Sequence, residues 1–284
     1  MSTTAAARAH RRRTRESGPI TLIVRIVFLL IYGVPVAWIL ITSLKAQGDV
    51  ENSSTLFIFK PTLDAYTAAL SDGGLVTAAI QSLIIAVGTT ILTLLIAIPA
   101  AYGLARVGGR VTTICLGLLI VLQMMPQTAT VIPLFQIFGD WGLLDNRLAV
   151  ILADSALLVP FATLLLRPFF RAVPPALEES ASIDGANSFR TFRSIVLPIA
   201  RNGVATTGTL VFLLSWGEFL YAINFFLSPG TYPLSALLAQ QVSAFGINWP
   251  GLMALAVITS IPILILFVFT YRLLREGLTL GAVK

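Results

Sequence analysis

Two acidic side chains, Asp154 and Glu218, stand inside runs that are otherwise rich in Leu, Ile, Val, Ala and Phe. An ionisable group in such a run is costly and is kept where it faces a polar interior or a functional path. Around Glu218 the segment SWGEFLYAINFF adds Trp216, Tyr221 and Asn224. Aromatic faces beside hydrogen-bonding groups suit sugar hydroxyls; they equally suit helix packing and anchoring at a membrane interface. Gln123 and Gln127, on either side of Pro126, are candidates for the same polar path. Asp154 lies close to the outer end of its run, where simple hydration at the interface is the alternative to a cavity. Covalent chemistry has no comparable candidates. The one cysteine, Cys115, sits in an apolar run and the one histidine, His10, in the polar N-terminal segment, so no Cys/His or Ser/His/Asp set and no His/Cys metal site is expected. Lys45, Lys60 and Lys284 follow Leu, Phe and Val, so the Gly-Lys-[Ser/Thr] of a Walker A loop is missing as well.

These side chains must be positioned by elements that live in lipid. The 284 residues are 56% hydrophobic and 11% charged, against about a quarter charged in soluble domains. The net charge of +6 is what the topology of an inner-membrane protein requires, and nucleic acid is not an expected partner. A spanning helix needs about 20 mostly apolar residues. Six segments qualify: 20–44, 75–105, 111–127, 148–170, 204–227 and 252–274. The first is too long for a signal-peptide core and is read as a retained span. Pro126 and Pro133 in MMPQTATVIPLF either end the third span or break it beside a polar cavity.

With the N-terminus inside, the inner segments hold Arg8, Arg11, Arg12, Arg13, Arg15, Arg106, Arg110, Arg167, Arg171, Arg190, Arg193, Arg201, Arg272, Arg275 and Lys284, and the outer ones only Lys45, Lys60 and Arg147. Arg25 is near enough the inner end of the first span to snorkel. The positive-inside rule therefore predicts that both termini are cytoplasmic. The expected organisation is a basic tail at 1–19, contacting anionic lipid, a six-span all-α membrane domain at 20–274, and a short tail at 275–284. A short helix is expected over 63–70 in the first outer loop.

On this topology residues 174–200 are a cytoplasmic loop between spans four and five. Pro174 and Pro175 suit a helix start, Glu178 and Glu179 its positively polarised first turn, and Gly185 its left-handed end. Asn187 or Ser188 can cap a second helix, amphipathic through Phe189, Phe192, Ile195 and Val196, with Pro198 as its expected stop. By pattern alone such a helix pair can simply lie on lipid headgroups, its arginines on phosphates. The spacing Glu179-Ser180-Ala181, Gly185, Ile195-Val196-Leu197-Pro198 resembles the EAA loop of ATP-binding-cassette importer permeases. SIDGANSFRTFRSIVLPIARNG, PTLDAYTAAL and REGLTLGAVK are similar to the carbohydrate, maltose-type branch. Ser180 replaces the first Ala of the motif, and Gly217 stands where that branch often has Asn after Trp.

The resemblance implies a type I importer permease fold with cytoplasmic coupling helices. It implies an ATPase pair holding ATP and Mg, with no cofactor on this chain, a second similar permease subunit, and an extracytoplasmic sugar-binding protein or lipoprotein. It assigns ATPase coupling to Glu178, Glu179, Ser180, Ala181, Asp184, Gly185, Ile195, Leu197 and Pro198, with Glu179 in polar contact with the ATPase, Ala181 packing closely, and Leu197 and Pro198 joining the loop to span five. A permease for a non-sugar solute is the alternative within the family. An ion-coupled secondary transporter is the alternative outside it, and it leaves the spaced loop unexplained.

Overall fold

Lipid offers no partner to a free backbone N–H, so each long apolar stretch closes its own ladder and becomes a helix. The computed structural model describes residues 19–56, 58–71, 73–243 and 246–282. The basic segment with His10 and the final residue Lys284 lie outside the described residues. Among the described residues four helices are long and apolar enough to cross a membrane, or up to six if each of two bent pairs counts as one span.

The chain divides into two compact units. The first takes the residues up to Tyr66 and Asn248–Val257. It contains α1 (Pro19–Ser43), α2 (Gln47–Glu51) and a 3-10 turn at Ser53–Thr55. Lys45 is buried here, and its Nζ donates to the Thr55 and Leu56 carbonyls at 3.0 and 2.8 Å, which folds the polar segment back over the end of α1. Ser43 and Tyr66 share a hydroxyl hydrogen bond of 2.7 Å.

The second unit holds α4 (Gly74–Arg106), α5 (Gly109–Gln123), α6 (Gln127–Asp140), α7 (Arg147–Arg171), α8 (Pro175–Ile183) and α9 (Ser188–Thr191). A π turn (Phe192–Val196), α10 (Leu197–Ile199), α11 (Arg201–Trp216), α12 (Leu220–Phe225), α13 (Leu234–Gln240) and an antiparallel pair of two-residue strands, β1 (Val242–Ser243) and β2 (Gly246–Ile247), follow. Helix α3 (Asp64–Ser71) lies across the division and α14 (Trp249–Ala282) begins in the first unit and ends in the second. The core of the second unit is α4 packed along α7, with α11 against both. Small residues make the approach close: Ala86, Ala97, Ala101, Ala153 and Ala162 are all fully or almost fully buried. A side-chain carbon on Gly203 would stand 2.2 Å from the Phe169 ring, so α11 and α7 meet there with no room to spare.

Spans one, two and four run as expected, with Pro35, Pro99, Pro160 and Pro168 held inside them. Of the two readings of the third span, the structure has the break: α5 and α6 meet at 88° at Pro126 and the helix resumes, with Pro133 held inside α6. Three expectations need correction. The fifth span ends at Trp216, not near Leu227, because Gly217 and the following residues leave helical geometry and α12 starts afresh. Pro198 does not stop the second loop helix. The π turn ahead of it, with Leu197 N–H bonded to the Phe192 carbonyl, widens the ladder, and Pro198 falls in the first turn of α10, where its missing donor costs little. The chain turns instead at Ala200, by 75° into α11. Helix α14 continues to Ala282, through most of the segment read as a tail.

Candidate coupling surface and gate region

Pro174 and Pro175 open α8 as N-cap and first helical residue. Its end is a Schellman turn: Ala186 N–H bonds the Ala181 carbonyl at 2.9 Å and Gly185 N–H the Ser182 carbonyl at 3.1 Å, with Gly185 at φ +83°. Asn187 caps α9, its side chain accepting from Arg190 N–H at 2.8 Å. Two short helices at an angle therefore form, as the spacing predicts.

The two adjacent glutamates part company. Neighbours on a helix lie about 100° apart and cannot face one partner. Glu179 is exposed. Glu178 turns inward: Oε2 accepts from Tyr102 Oη at 2.6 Å and Oε1 from Arg106 Nε at 2.6 Å, and the pair is an ion pair. Ala181 is buried against the body, while Ser180, Asp184 and Gly185 are exposed. Leu177, Ser180, Ala181, Asp184, Arg190, Thr191 and Ile195 border a groove of about 390 Å³ between the two short helices. Leu197 is half-buried and Pro198 exposed beyond it. Two large apolar side chains flank the glycine turn and stand out from the surface, Ile183 at 88% and Phe189 at 69% exposure. No sequence signal marks Ile183, and Phe189 belongs to the apolar face expected of the second helix. Only Phe192 and Val196 of that face go inward, beside Ala97, Ala101, Phe170 and Val211.

The polar residues near the bent spans are drawn together, and largely satisfy one another. Glu218 Oε1 accepts from Tyr221 N–H at 2.6 Å and from Gln127 Nε2 at 3.2 Å, and Oε2 from Ala222 N–H at 3.0 Å. The carboxylate thus caps α12 and ties it to the start of α6. Tyr221 Oη bonds Thr130 Oγ1 at 2.7 Å, and Ser235 Oγ donates to the Glu218 carbonyl at 2.6 Å. Trp216 Nε1 donates to the Thr259 carbonyl at 3.1 Å, and Asn224 Nδ2 to the Leu220 carbonyl at 2.6 Å. The gap bordered by Ser82, Ser215, Trp216, Glu218 and Ser235 is too small for a water molecule. Gln123 is exposed at the end of α5, away from this cluster's hydrogen bonds. Asp154 is not hydrated at an interface: it is 3% exposed on α7, facing Thr89 of α4 and Ser215 of α11.

A second clasp lies outside the spans. Asp145, at φ +59°, donates its N–H to the Phe225 carbonyl at 2.8 Å. Its carboxylate accepts from Ser228 Oγ at 2.6 Å, Thr231 Oγ1 at 2.8 Å, Ser228 N–H at 3.2 Å and Leu227 N–H at 3.1 Å. The Ser228 and Thr231 hydroxyls lead in favouring the anion and pull its pKa from an ordinary 3.8 to about 2. A depressed carboxyl pKa stabilises the fold above the unfolded value and loses that contribution as pH falls through the folded one. Asp145→Asn is therefore expected to lower the thermal midpoint of the purified protein at neutral pH. The difference from wild type should narrow between pH 3.8 and about 2. An equal midpoint at pH 7 counts against the clasp.

A family model described as binding-protein-dependent transport system inner membrane component matches residues 93–279. The chain is 35% identical over 258 residues, 90% of each chain, to the sulfoquinovosyl glycerol transport system permease protein SmoH of Agrobacterium fabrum. It is 33% identical to the diacetylchitobiose uptake system permease protein DasC of Streptomyces coelicolor, over 88% of this chain and 91% of that one. It is 30% identical to the trehalose transport system permease protein SugB of Mycobacterium tuberculosis, over 88% and 92%. In fold it resembles a chain of a bacterial ABC transporter involved in the import of the acidic polysaccharide alginate, with TM-score 0.74, 22% identity, and coverage of 90% of this chain and 97% of that one. The family match takes in the glycine turn, both bent spans and most of the packed core, and on that extent the chain belongs to the binding-protein-dependent transport system inner membrane components.

Proposed function

We propose that the chain is one of two permease subunits of an ATP-driven, binding-protein-dependent sugar importer in the bacterial plasma membrane. It forms half of the translocation path and has both termini in the cytoplasm. The observation that carries this reading is the pair of short helices around Gly185, with Glu179, Ile183 and Phe189 presented outward. An exposed apolar pair on a polar, cytoplasmic element marks a surface that a protein covers. An ATPase pair holding ATP and Mg is the partner, since this chain lacks a Walker A loop. Arginine-rich inner segments support the orientation. The three relatives named for glycosides or disaccharides support sugar as the solute class. On this reading Gln123, Gln127, Trp216, Glu218, Tyr221 and Asn224 frame a gate beside the path, and an extracytoplasmic binding protein delivers the solute.

The test is purification of the chain from its native membrane, followed by reconstitution with its binding protein. The expected complex contains a Walker A-bearing ATPase in twofold excess over this chain and a second permease, and its hydrolysis is stimulated by an oligosaccharide or glycoside and not by amino acids. Ile183→Ser with Phe189→Ser should cut recovery of the ATPase about tenfold, the loss of two buried apolar anchors. A complex without an ATPase, or full recovery by the double variant, sinks the reading; stimulation by amino acids alone sinks the sugar assignment.

A further inference from the structure

We propose that Arg106, together with Tyr102, is the joint through which the coupling helix α8 moves the spanning helix α4, so that without it the ATPase docks and turns over but the path does not follow. The inference rests on the ATPase-coupled reading above. Helix α8 has nine residues, too few to hold a fixed orientation by its own ladder. What fixes it is the inward face of Glu178. Both carboxylate oxygens are engaged from α4, Oε2 by Tyr102 and Oε1 by Arg106. The same guanidinium reaches the Val173 carbonyl at 3.1 Å, in the turn that leads into α8. One side chain therefore grips the helix and the hinge before it. The members of this ion pair are only 21% and 18% exposed.

The anchor itself is stiff. Arg106 lies over the Tyr102 ring, 5.5 Å from guanidinium carbon to centroid. That ring packs between Phe170 of α7 and Phe192 of the π turn, with centroids at 5.9 and 4.8 Å. Arg167 Nε adds a bond of 2.9 Å to the Leu104 carbonyl, holding the end of α4 against α7. Packed elements transmit displacement because they have few ways to yield. A push on α8 thus meets α4, which runs through the core of its unit, before it meets anything flexible. A planar guanidinium that binds a carboxylate and a carbonyl together resists rotation in a way an ammonium cannot.

The proposal is tested in proteoliposomes with the full complex, binding protein and sugar, reading ATP hydrolysed per sugar imported. Arg106→Gln should keep insertion, ATPase recovery and a cross-link to the ATPase from Ser182→Cys on the exposed face of α8, while uptake falls about tenfold and the ATP-to-sugar ratio rises by a similar factor. Arg106→Lys, which keeps the charge and loses the fork, should give an intermediate ratio. Tyr102→Phe, which keeps the ring and loses one bond, should raise the ratio about twofold. A wild-type ratio for Arg106→Gln overturns the joint. So does loss of ATPase recovery in step with uptake, which would make Arg106 a support for docking alone. If the wild-type complex holds no ATPase, the underlying reading fails instead, and the two failures are told apart by the wild-type control.

Discussion

Gly185→Val is expected to lower uptake on the order of tenfold or more while the chain still inserts at wild-type level. The reason is conformational, since nothing lies within 4 Å of where the new side-chain carbon would sit. Gly185 has φ +83°, and its own N–H and that of Ala186 close the Schellman turn. A β-branched residue in left-handed geometry costs about 1–2 kcal/mol, and α8 has no long ladder with which to offset it. The turn sets the angle between Ile183 and Phe189, so relaxing it misaligns both outward anchors without disturbing a span. Gly185→Asn should retain most uptake, because Asn reaches the left-handed region at small cost. Membrane content, ATPase recovery and uptake measured on the same vesicles decide the matter. Wild-type uptake by the valine variant would show that the turn is not needed.

Glu218→Ala should prevent recovery of stable protein, whereas Glu218→Gln should come close to wild type. The alanine variant strands Tyr221 N–H, Ala222 N–H and Gln127 Nε2 at a site where Glu218 is 8% exposed. An unsatisfied buried donor costs about 1–3 kcal/mol, so two or three of them approach the whole stability of a typical domain. Glutamine keeps one carbonyl oxygen for Tyr221 N–H and loses about one bond. The measurement is the amount and thermal midpoint of detergent-purified protein. An alanine variant with an unchanged midpoint would mean that α12 is held by packing, through Tyr221, Phe225 and Phe138, and that the cap is dispensable.

Several positions show how far a linear reading reaches. Gly185 and Asn187 act through residues within five positions of themselves, and their roles follow from local geometry alone. Glu178 and Glu179 look alike in the sequence, and only the arrival of Tyr102 and Arg106, 76 and 72 residues away, separates them. A signal existed: Tyr102 and Arg106 stand one helical turn apart at the inner end of a span, a spacing that puts both on one face. The break after Trp216 left no such trace. Gly217 is tolerated inside many membrane helices, and here the chain departs from helix because Gln127 and Thr130, each 91 residues from its partner, stabilise the groups beyond the break.

The amino-acid sequence alone determined the membrane class, the extents of spans one, two and four, the glycine turn and the family. Each of these depends on hydropathy or on hydrogen bonds between near neighbours, quantities already present in a one-dimensional string. The tertiary structure decided that the third span resumes after Pro126, where the fifth ends, which glutamate faces the body, and that Asp154 is buried between Thr89 and Ser215. Those outcomes depend on whether a freed backbone group or a charge finds a partner from a distant helix, and that is settled only when the helices pack.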